Sequence, residues 1–530
     1  MHWSDVVAQR LSERGKKHIV STGITPSGEF HIGHLREILT GDMITKAAKK
    51  AGLDVEFVFI VDSADPLRKV YSFLDDSYSQ YIGHQLKQIP PPNAEGFPDI
   101  DRFDQGISYA DHFLEPFRQA LEQIDVRPRF IDNYEAYADG NFAETARIAC
   151  NNADKIREII ERVSSRELSD DWFPWNPIDS KGSIDGIRVT GWNDPIVSWM
   201  DSNGNEGSSD VTKGEGKLPW RIDWPAKWAW IGVTMEPFGK DHGAAGGSYD
   251  TGKEIVELFG KAAPVDLTYE WISLRGQGAM SSSSGNTIGP LEALSLVPPE
   301  ILRYLVASTK PNKAIEFDTG MGLVNLADEF ERTTARDFSI EMQNEGLSRR
   351  QMVAIEDAKT ALELSLISPM EETSKVTFRH LAMLAQTKSN DEDVWISLGL
   401  AGNVSQSMID RLDRMRTWIQ SRHFPEELSI TILDEPDVEA VGRLDDENLA
   451  ILPTLIEALE ACEWDASSLQ STISNSAKSQ DTSPRHAYRA LYLCIMGTER
   501  GPRLPTILAE LERSAIVNLL RACLEESVEP

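Results

Sequence analysis

The chain has 530 residues with 53 basic and 84 acidic side chains, a formal net charge of −31. That balance excludes a broadly basic nucleic-acid-binding surface and leaves any phosphate contact to a local patch. The length predicts two to four domains, and 41 % hydrophobic with 26 % charged residues fits a folded protein. No run is apolar for long enough to span a bilayer, and the N-terminus carries no apolar stretch of the signal-peptide kind. The four cysteines have no paired spacing, which argues against a zinc ribbon or disulfide framework and predicts a reducing, cytoplasmic setting.

The first predicted strand is Lys17–Gly23. A turn, "ITPSGEF", leads into a helical run in which Leu35, Ile38, Leu39 and Met43 share one face. Val55 and Phe57–Val61 then predict a second strand. Strand, turn, helix and strand make a βαβ unit, so the expected fold is an α/β Rossmann-like domain with a parallel sheet. Ligands belong at the carboxyl ends of its strands, near Pro26, Asp62 and Asp65. Residues 100–165 read as helical, and residues 166–235, rich in Gly, Asn, Ser and Trp, as a β-rich or loop-rich insertion. From about residue 291 helical patterns run to the end, interrupted by acidic or Ser-rich loops at 388–393, 433–448 and 473–484.

Two motifs carry chemistry. In "GITPSGEFHIGH" (residues 23–34) His31 and His34 can donate to phosphate oxygens beside a helix N-terminus, and Gly33 lets a flat base approach the backbone. Pro26, Ser27 and Gly28 form the turn that cradles the same ligand. In "EPFGKDHGAAGGSYDTG" (residues 236–252) Lys240, Asp241 and His242 put a cation, a carboxylate and an imidazole before a Gly-rich helix start. Asp241 suits ribose hydroxyls, and Lys240 or His242 suits phosphate.

These motifs, with "DPLRKVYSFL", "HFLEPF", "SDDWFPWNPI", "YEWISLRG", "PPEILRYLVASTKPNKAIEFD" and "GPRLPTILAEL" in order, resemble the class I, archaeal-type lysyl-tRNA synthetases. The resemblance is strong over residues 1–330 and weaker beyond. It implies ATP-dependent ligation of lysine to tRNA(Lys) through lysyl-adenylate, with Mg²⁺ accompanying ATP; the sequence does not give the oligomeric state, and a monomer is the favoured expectation. It also implies a lysine pocket shaped by Gly23 and Thr25, with Asp62 or Asp65 meeting the ε-ammonium and Trp230 as a wall. The implied division is residues 1–95 and 236–290 for the two halves of the catalytic domain and 96–235 for a connective insertion. A stem-contact region at 291–345 and an all-helical anticodon-binding domain at 346–530 complete it. In the last, Arg411, Arg414, Arg416, Arg422 and Arg503 are candidates for RNA contacts beside the plainer reading of solvated helix faces.

Two departures stand out. The nucleotide loop of the family reads KMSSSKGN, whereas this chain reads "GAMSSSSGN". Met280, Ser281, Ser282 and Ser283 keep the catalytic frame, while Ala279 and Ser284 stand where the lysines would be. One charge-assisted hydrogen bond contributes roughly 1.5–3 kcal/mol, so each loss costs on the order of 10- to 150-fold in rate unless Arg275, Lys240, Lys253, bound Mg²⁺ or a monovalent cation substitutes. The insertion also lacks the cysteine pairs that bind zinc in many relatives. "NPIDSKG" and "SWMDSNGNEG" place Asp179, Ser180, Asp201 and Asn203 there instead, so no structural zinc is expected. Both losses keep alive an alternative, an impaired paralogue that binds ATP, lysine or tRNA without efficient charging. A pantetheine- or sulfate-activating nucleotidyl transferase is disfavoured by the long helical C-terminus.

Overall fold

The computed structural model describes residues 1–275, 278–279, 288–367 and 376–527. The chain forms two compact units, one of residues 1–294, 299–318 and 336–369 and one of residues 295–298, 319–335 and 370–530.

In the first unit helix α1 (Trp3–Ser12) precedes strand β1 (Lys17–Ile24), helix α2 (Ile32–Lys50) and strand β2 (Asp54–Val61). Val58, Phe59 and Ile60 are buried, as expected of a strand covered on both faces. Lys49 and Lys50 close α2 where cations complement the helix dipole. α2 lies tight on the sheet, because a Cβ at Gly41 would come within 2.7 Å of the Phe57 ring. Strand β3 (Arg129–Asp132) falls inside the span that reads as helical. Four residues between helices are too short for a period to emerge, and only pairing with β2 through Val58–Val61 makes them a strand.

The insertion contains β4 (Asn176–Pro177), β5 (Arg188–Asn193), β6 (Ile196–Met200), β7 (Glu206–Asp210) and β8 (Gly216–Lys217). β5, β6 and β7 form an antiparallel meander, and β4 pairs with β8. The helix Trp220–Ile231 returns the chain to the sheet through β9 (Met235–Gly239) and β10 (Val265–Tyr269). The strand order is β10-β9-β1-β2-β3, all parallel. The chain winds one way from β1 and the other from β9, so the switch point, where such sheets bind ligands, lies between β1 and β9. β11 (Ile272–Leu274) pairs with β12 (Gly278–Ala279) and with β13 (Ile315–Phe317).

The second unit is built of helices, including Gln406–Gln420, Asp446–Ala461, Ala466–Ser479, Pro484–Met496 and Arg513–Glu526. The expected loop at 473–484 is helical to Ser479, because Leu469, Ile473 and Ala477 recur at helical spacing and are all buried. The four cysteines are free thiols. Among the described residues no helix is long and apolar enough to cross a membrane.

Candidate active site

A cavity of about 270 Å³ opens at the switch point, lined by residues that include His31, Gly33, His34, Glu37, Asp241 and His242. His31 caps α2: its Nδ1 accepts from the Gly33 N–H at 3.1 Å, while His34 Nδ1 accepts from the His31 N–H at 3.0 Å. The His31 Nδ1 therefore acts as an acceptor, which places that ring's proton on Nε2, while His34 Nδ1 also lies 3.2 Å from the His31 carbonyl oxygen. Burial pushes the His31 pKa down to about 4 and the His34 pKa to about 3, the latter lowered further by His31. The cavity thus receives two neutral imidazoles beside a helix N-terminus, with the His31 Nε2–H as a donor suited to phosphate oxygens.

Glu37 sits one turn beyond His34 on the same helix. Its Oε1 accepts from the Gly23 N–H at 3.0 Å, and its Oε2 from the Tyr269 hydroxyl at 2.9 Å. Burial raises its pKa to about 7. It forms no salt bridge among the described residues, so the floor of the cavity holds a carboxylate that lacks a cation. Behind it Glu236 on β9 accepts from the indoles of Trp224 at 2.9 Å and Trp228 at 2.5 Å, and burial pushes it up to about 8. Two neighbouring acids cannot readily ionise together when desolvated, and Glu236 is the more strongly held in its neutral form.

The opposite rim comes from the short helix Lys240–Gly243, which follows β9. Asp241 is exposed there. The His242 ring lies 5.3 Å from that of Trp220 and 5.6 Å from that of Trp224, and burial lowers its pKa. Lys240 Nζ is 2.7 Å from Glu270 and 4.5 Å above the ring of Trp271, which also lines the cavity. Arg275 is held by Asp318 at 2.6 Å and Lys253 by Asp250 at 2.8 Å, and neither lines the cavity. Lys240 does not line the cavity either, but its chain neighbours Gly239 and Asp241 and the Trp271 ring beneath its ammonium do.

Asp62 and Asp65 have other partners. Asp65 pairs with Lys217 and accepts from Thr25 Oγ1 at 2.7 Å. Asp62 pairs with Lys227, which also lies 2.7 Å from Asp223, and accepts from Asn133 at 3.1 Å. Tyr137 donates to Asp223 at 2.5 Å. Burial lifts Asp62 to about 6 against the pull of Lys227. In Asp65 burial is outweighed by Lys217 and Lys227, which hold it below the ordinary carboxylate value. Both lysines are buried, and their aspartates keep their pKa values raised. These carboxylates are spoken for by lysines of the chain, so they are not available to a substrate cation.

The structure does not bring Trp230 to the cavity. It packs edge-on against Phe142 at 5.5 Å, and Trp220 is the tryptophan beside His242. Pro26, Ser27 and Gly28 form the turn after β1, where Ser27 O accepts from Tyr109 at 2.8 Å, and do not line this cavity. Met280, Ser281, Ser282, Ser283 and Ser284 lie outside the described residues. Sequence reasoning missed Glu37, Tyr269, Trp271, Trp220 and the two buried lysines. The signal for Glu37 was its spacing three residues after His34, which puts both on one helix face.

The two cysteine-free turns of the insertion are built alike. Asp179 Oδ1 accepts from the N–H groups of Lys181 at 2.8 Å and Ser183 at 2.9 Å, with Gly182 at φ 94°. Asp201 Oδ1 accepts from Asn203 at 2.9 Å and Asn205 at 2.8 Å, with Gly204 at φ 84°. Carboxylates already taken up by backbone donors, without a thiolate beside them, do not fit a tetrahedral zinc site. In the second unit Arg416 pairs with Asp391 at 2.5 Å, Arg414 donates to the Asp410 carbonyl at 3.3 Å and Arg503 to Gln470 at 2.5 Å, while Arg422 is exposed.

Residues 1–359 match the family described as tRNA synthetases class I (K), and residues 403–524 match an anticodon binding domain. The lysine–tRNA ligase of Picrophilus torridus is 36 % identical, over 99 % of this chain and 100 % of its own. That of Thermoplasma volcanium is 37 % identical over 99 % of both chains. The corresponding ligase of Methanocaldococcus jannaschii is 35 % identical over 98 % of this chain and 99 % of its own.

Proposed function

The chain belongs to the class I lysyl-tRNA synthetases, and from that premise we propose how its cavity carries out the ATP-dependent ligation of lysine to tRNA. The observation that carries the proposal is Glu37, a half-buried carboxylate with two neutral donors and no cation of its own among the described residues. Lysine enters with its ε-ammonium on Glu37 and Tyr269, since a buried cation is stable only when paired. Its carboxylate then faces the phosphates. A carboxylate oxygen attacks the α-phosphorus of ATP, pyrophosphate leaves, and lysyl-adenylate forms.

His31 directs its Nε2–H at the phosphate oxygens with the His34 imidazole beside it, and the α2 N-terminus adds positive potential. The adenine lies against Gly33 near Trp271, and Asp241 accepts from the ribose hydroxyls. Lys240 supplies the positive charge that Ala279 and Ser284 do not. Mg²⁺ arrives on the ATP phosphates; among the described residues no cluster of three or more His, Cys, Asp or Glu side chains is arranged to hold a metal.

Residues 1–95 and 236–290 serve as the halves of the catalytic domain, with β3 lent to its sheet from the 96–235 insertion, while 291–345 contacts the tRNA stem and 346–530 reads the anticodon. The near-full-length match to curated ligases supports charging rather than binding alone. Purified protein is expected to catalyse lysine-dependent ATP–pyrophosphate exchange and to charge tRNA(Lys). Absence of exchange at every magnesium and potassium concentration would overturn the reading.

A further inference from the structure

Arg36 stands one residue before Glu37 on α2 and is buried, yet it forms no ion pair among the described residues. Its Nη2 donates instead to three backbone carbonyls just beyond the helix Pro299–Ser308: Lys313 at 2.9 Å, Pro311 at 3.1 Å and Lys310 at 3.5 Å. Nη1 is buried with no partner among the described residues. Burial pushes the pKa down to about 10, with Tyr269 and Glu270 close enough to oppose the shift, so the guanidinium stays charged at neutral pH. A desolvated cation matched only by carbonyl dipoles, with one donor idle, is costly to keep. A well-packed apolar side chain would fill the space at less cost, so packing alone does not account for it.

The carbonyls that Arg36 holds belong to the cavity wall. Pro311 O accepts from Arg36 and also from the Glu270 N–H, at 2.8 Å. The Ile315 N–H donates to Trp271 O at 3.0 Å, and β13 continues along β11. Residues 269–271 are thereby fastened, through 310–315, to α2. That short stretch serves both halves of the cavity. Tyr269 donates to Glu37 at 2.9 Å, Glu270 holds Lys240 at 2.7 Å, and the Trp271 ring lies 4.5 Å beneath the Lys240 ammonium. Arg36 and Glu37, adjacent on one helix, grip adjacent positions of one segment, the first through backbone and the second through the Tyr269 hydroxyl.

We infer that Arg36 is a positioning residue for lysine activation, fixing the spacing between the ammonium site at Glu37 and Tyr269 and the nucleotide wall at Lys240 and Trp271. The inference rests on the functional reading above and adds to it the group that aligns its two substrates. Arg36 acts through the backbone of the wall and contacts neither substrate. Attack of the lysine carboxylate on the α-phosphorus needs both reactants held in one geometry, and a displacement of about 1 Å costs on the order of 100-fold in rate. Without the anchor the wall shifts against α2 while each half of the cavity keeps its own contacts. The loss therefore belongs in kcat rather than in either KM.

The test measures lysine-dependent ATP–pyrophosphate exchange by full-length Arg36→Met and Arg36→Lys, with urea unfolding to give the folded fraction of each. Arg36→Met is expected to lower kcat per folded molecule roughly 10- to 100-fold, with KM for lysine and for ATP unchanged within about three-fold. Arg36→Lys keeps the cation without the planar fork and should fall between. A residue that serves only the fold would lower the unfolding free energy and leave kcat per folded molecule intact. That result overturns the inference, as does a loss confined to KM. If Arg36→Met does not fold, Arg36→Lys decides alone: kcat lowered by about three-fold or more at unchanged KM supports the inference, and an unaltered kcat overturns it. Lack of exchange by the unaltered chain is the separate failure of the functional reading, and takes the inference with it.

Discussion

Two acid sites lie near the carboxyl ends of the same sheet, one buried and one half-buried at the cavity. Asp62 and Asp65 each meet a lysine from the insertion, Lys227 and Lys217; Asp65 accepts from Thr25 on its other oxygen, and Asp62 accepts from Asn133 on the oxygen that Lys227 meets. Glu37 accepts only from a backbone N–H and a phenol, and burial holds its pKa near 7. A carboxylate that already has its cation contributes to the fold, since removing either partner strands a charge in a dry interior. A carboxylate left without one is poised for a cation from outside. The difference between the sites is the internal lysine, and it separates the acids that hold the insertion on the sheet from the acid we propose for substrate recognition.

The largest effect expected from disturbing this contrast is on the paired side. Lys227→Met leaves Asp62 and Asp223 without their cation and should cost about 3–5 kcal/mol of stability in urea unfolding. Adding Asp62→Leu should recover a substantial part, whereas additive losses would show that the pair is not coupled.

On the unpaired side Glu37→Gln keeps both hydrogen-bonding positions and removes the charge. It should lower kcat/KM for lysine by the equivalent of about 2–4 kcal/mol, roughly 30- to 1000-fold, with little change in unfolding free energy or in KM for ATP. Comparable losses in the lysine and ATP parameters would mean that Glu37 positions the helix rather than the substrate.

A third effect follows from titration. Glu37 has a pKa raised to about 7 in the free protein, and lysine binds the ionised form. The KM for lysine should therefore be flat above pH 7 and rise as the pH falls, approaching ten-fold per unit well below it. His31 and His34, held near 4 and 3, stay neutral across that window and add no second limb.

The smallest effect concerns the insertion turns. Asp201→Ala removes three hydrogen bonds at one exposed turn and should cost about 1 kcal/mol. Chelators should leave the Tm unchanged; a Tm lowered by chelation and restored by zinc would contradict the fit described for these turns.

Much of the frame was legible before folding. The turn at residues 23–34 between a strand and an amphipathic helix fixed β1, α2 and β2, and the Gly-Lys-Asp-His run at 239–242 marked the second side of the cavity. What stayed hidden depends on distance along the chain. Lys217 and Lys227 sit in an apolar, Trp-rich stretch, and their partners lie 152 and 165 residues away, so no local pattern announces the pairing. Asp62 and Asp65 look like substrate ligands for the same reason: strand ends favour ligands, and only the folded insertion reveals that the cations are internal. Glu37 reads as the polar face of a helix until β10 brings Tyr269 beside it. Trp220 and Trp230 belong to one helix, and which of them faces the cavity is settled by how that helix docks.

The most direct test of the central claim is to compare lysine with norleucine, which lacks the ammonium, in ATP–pyrophosphate exchange by the unaltered protein and by Glu37→Gln. A site built around a buried polar partner rejects the analogue lacking it by about 10⁴-fold or more. The account predicts strong discrimination in the unaltered protein and its collapse in Glu37→Gln. Discrimination that survives the substitution would contradict it and place recognition of the ammonium on another group.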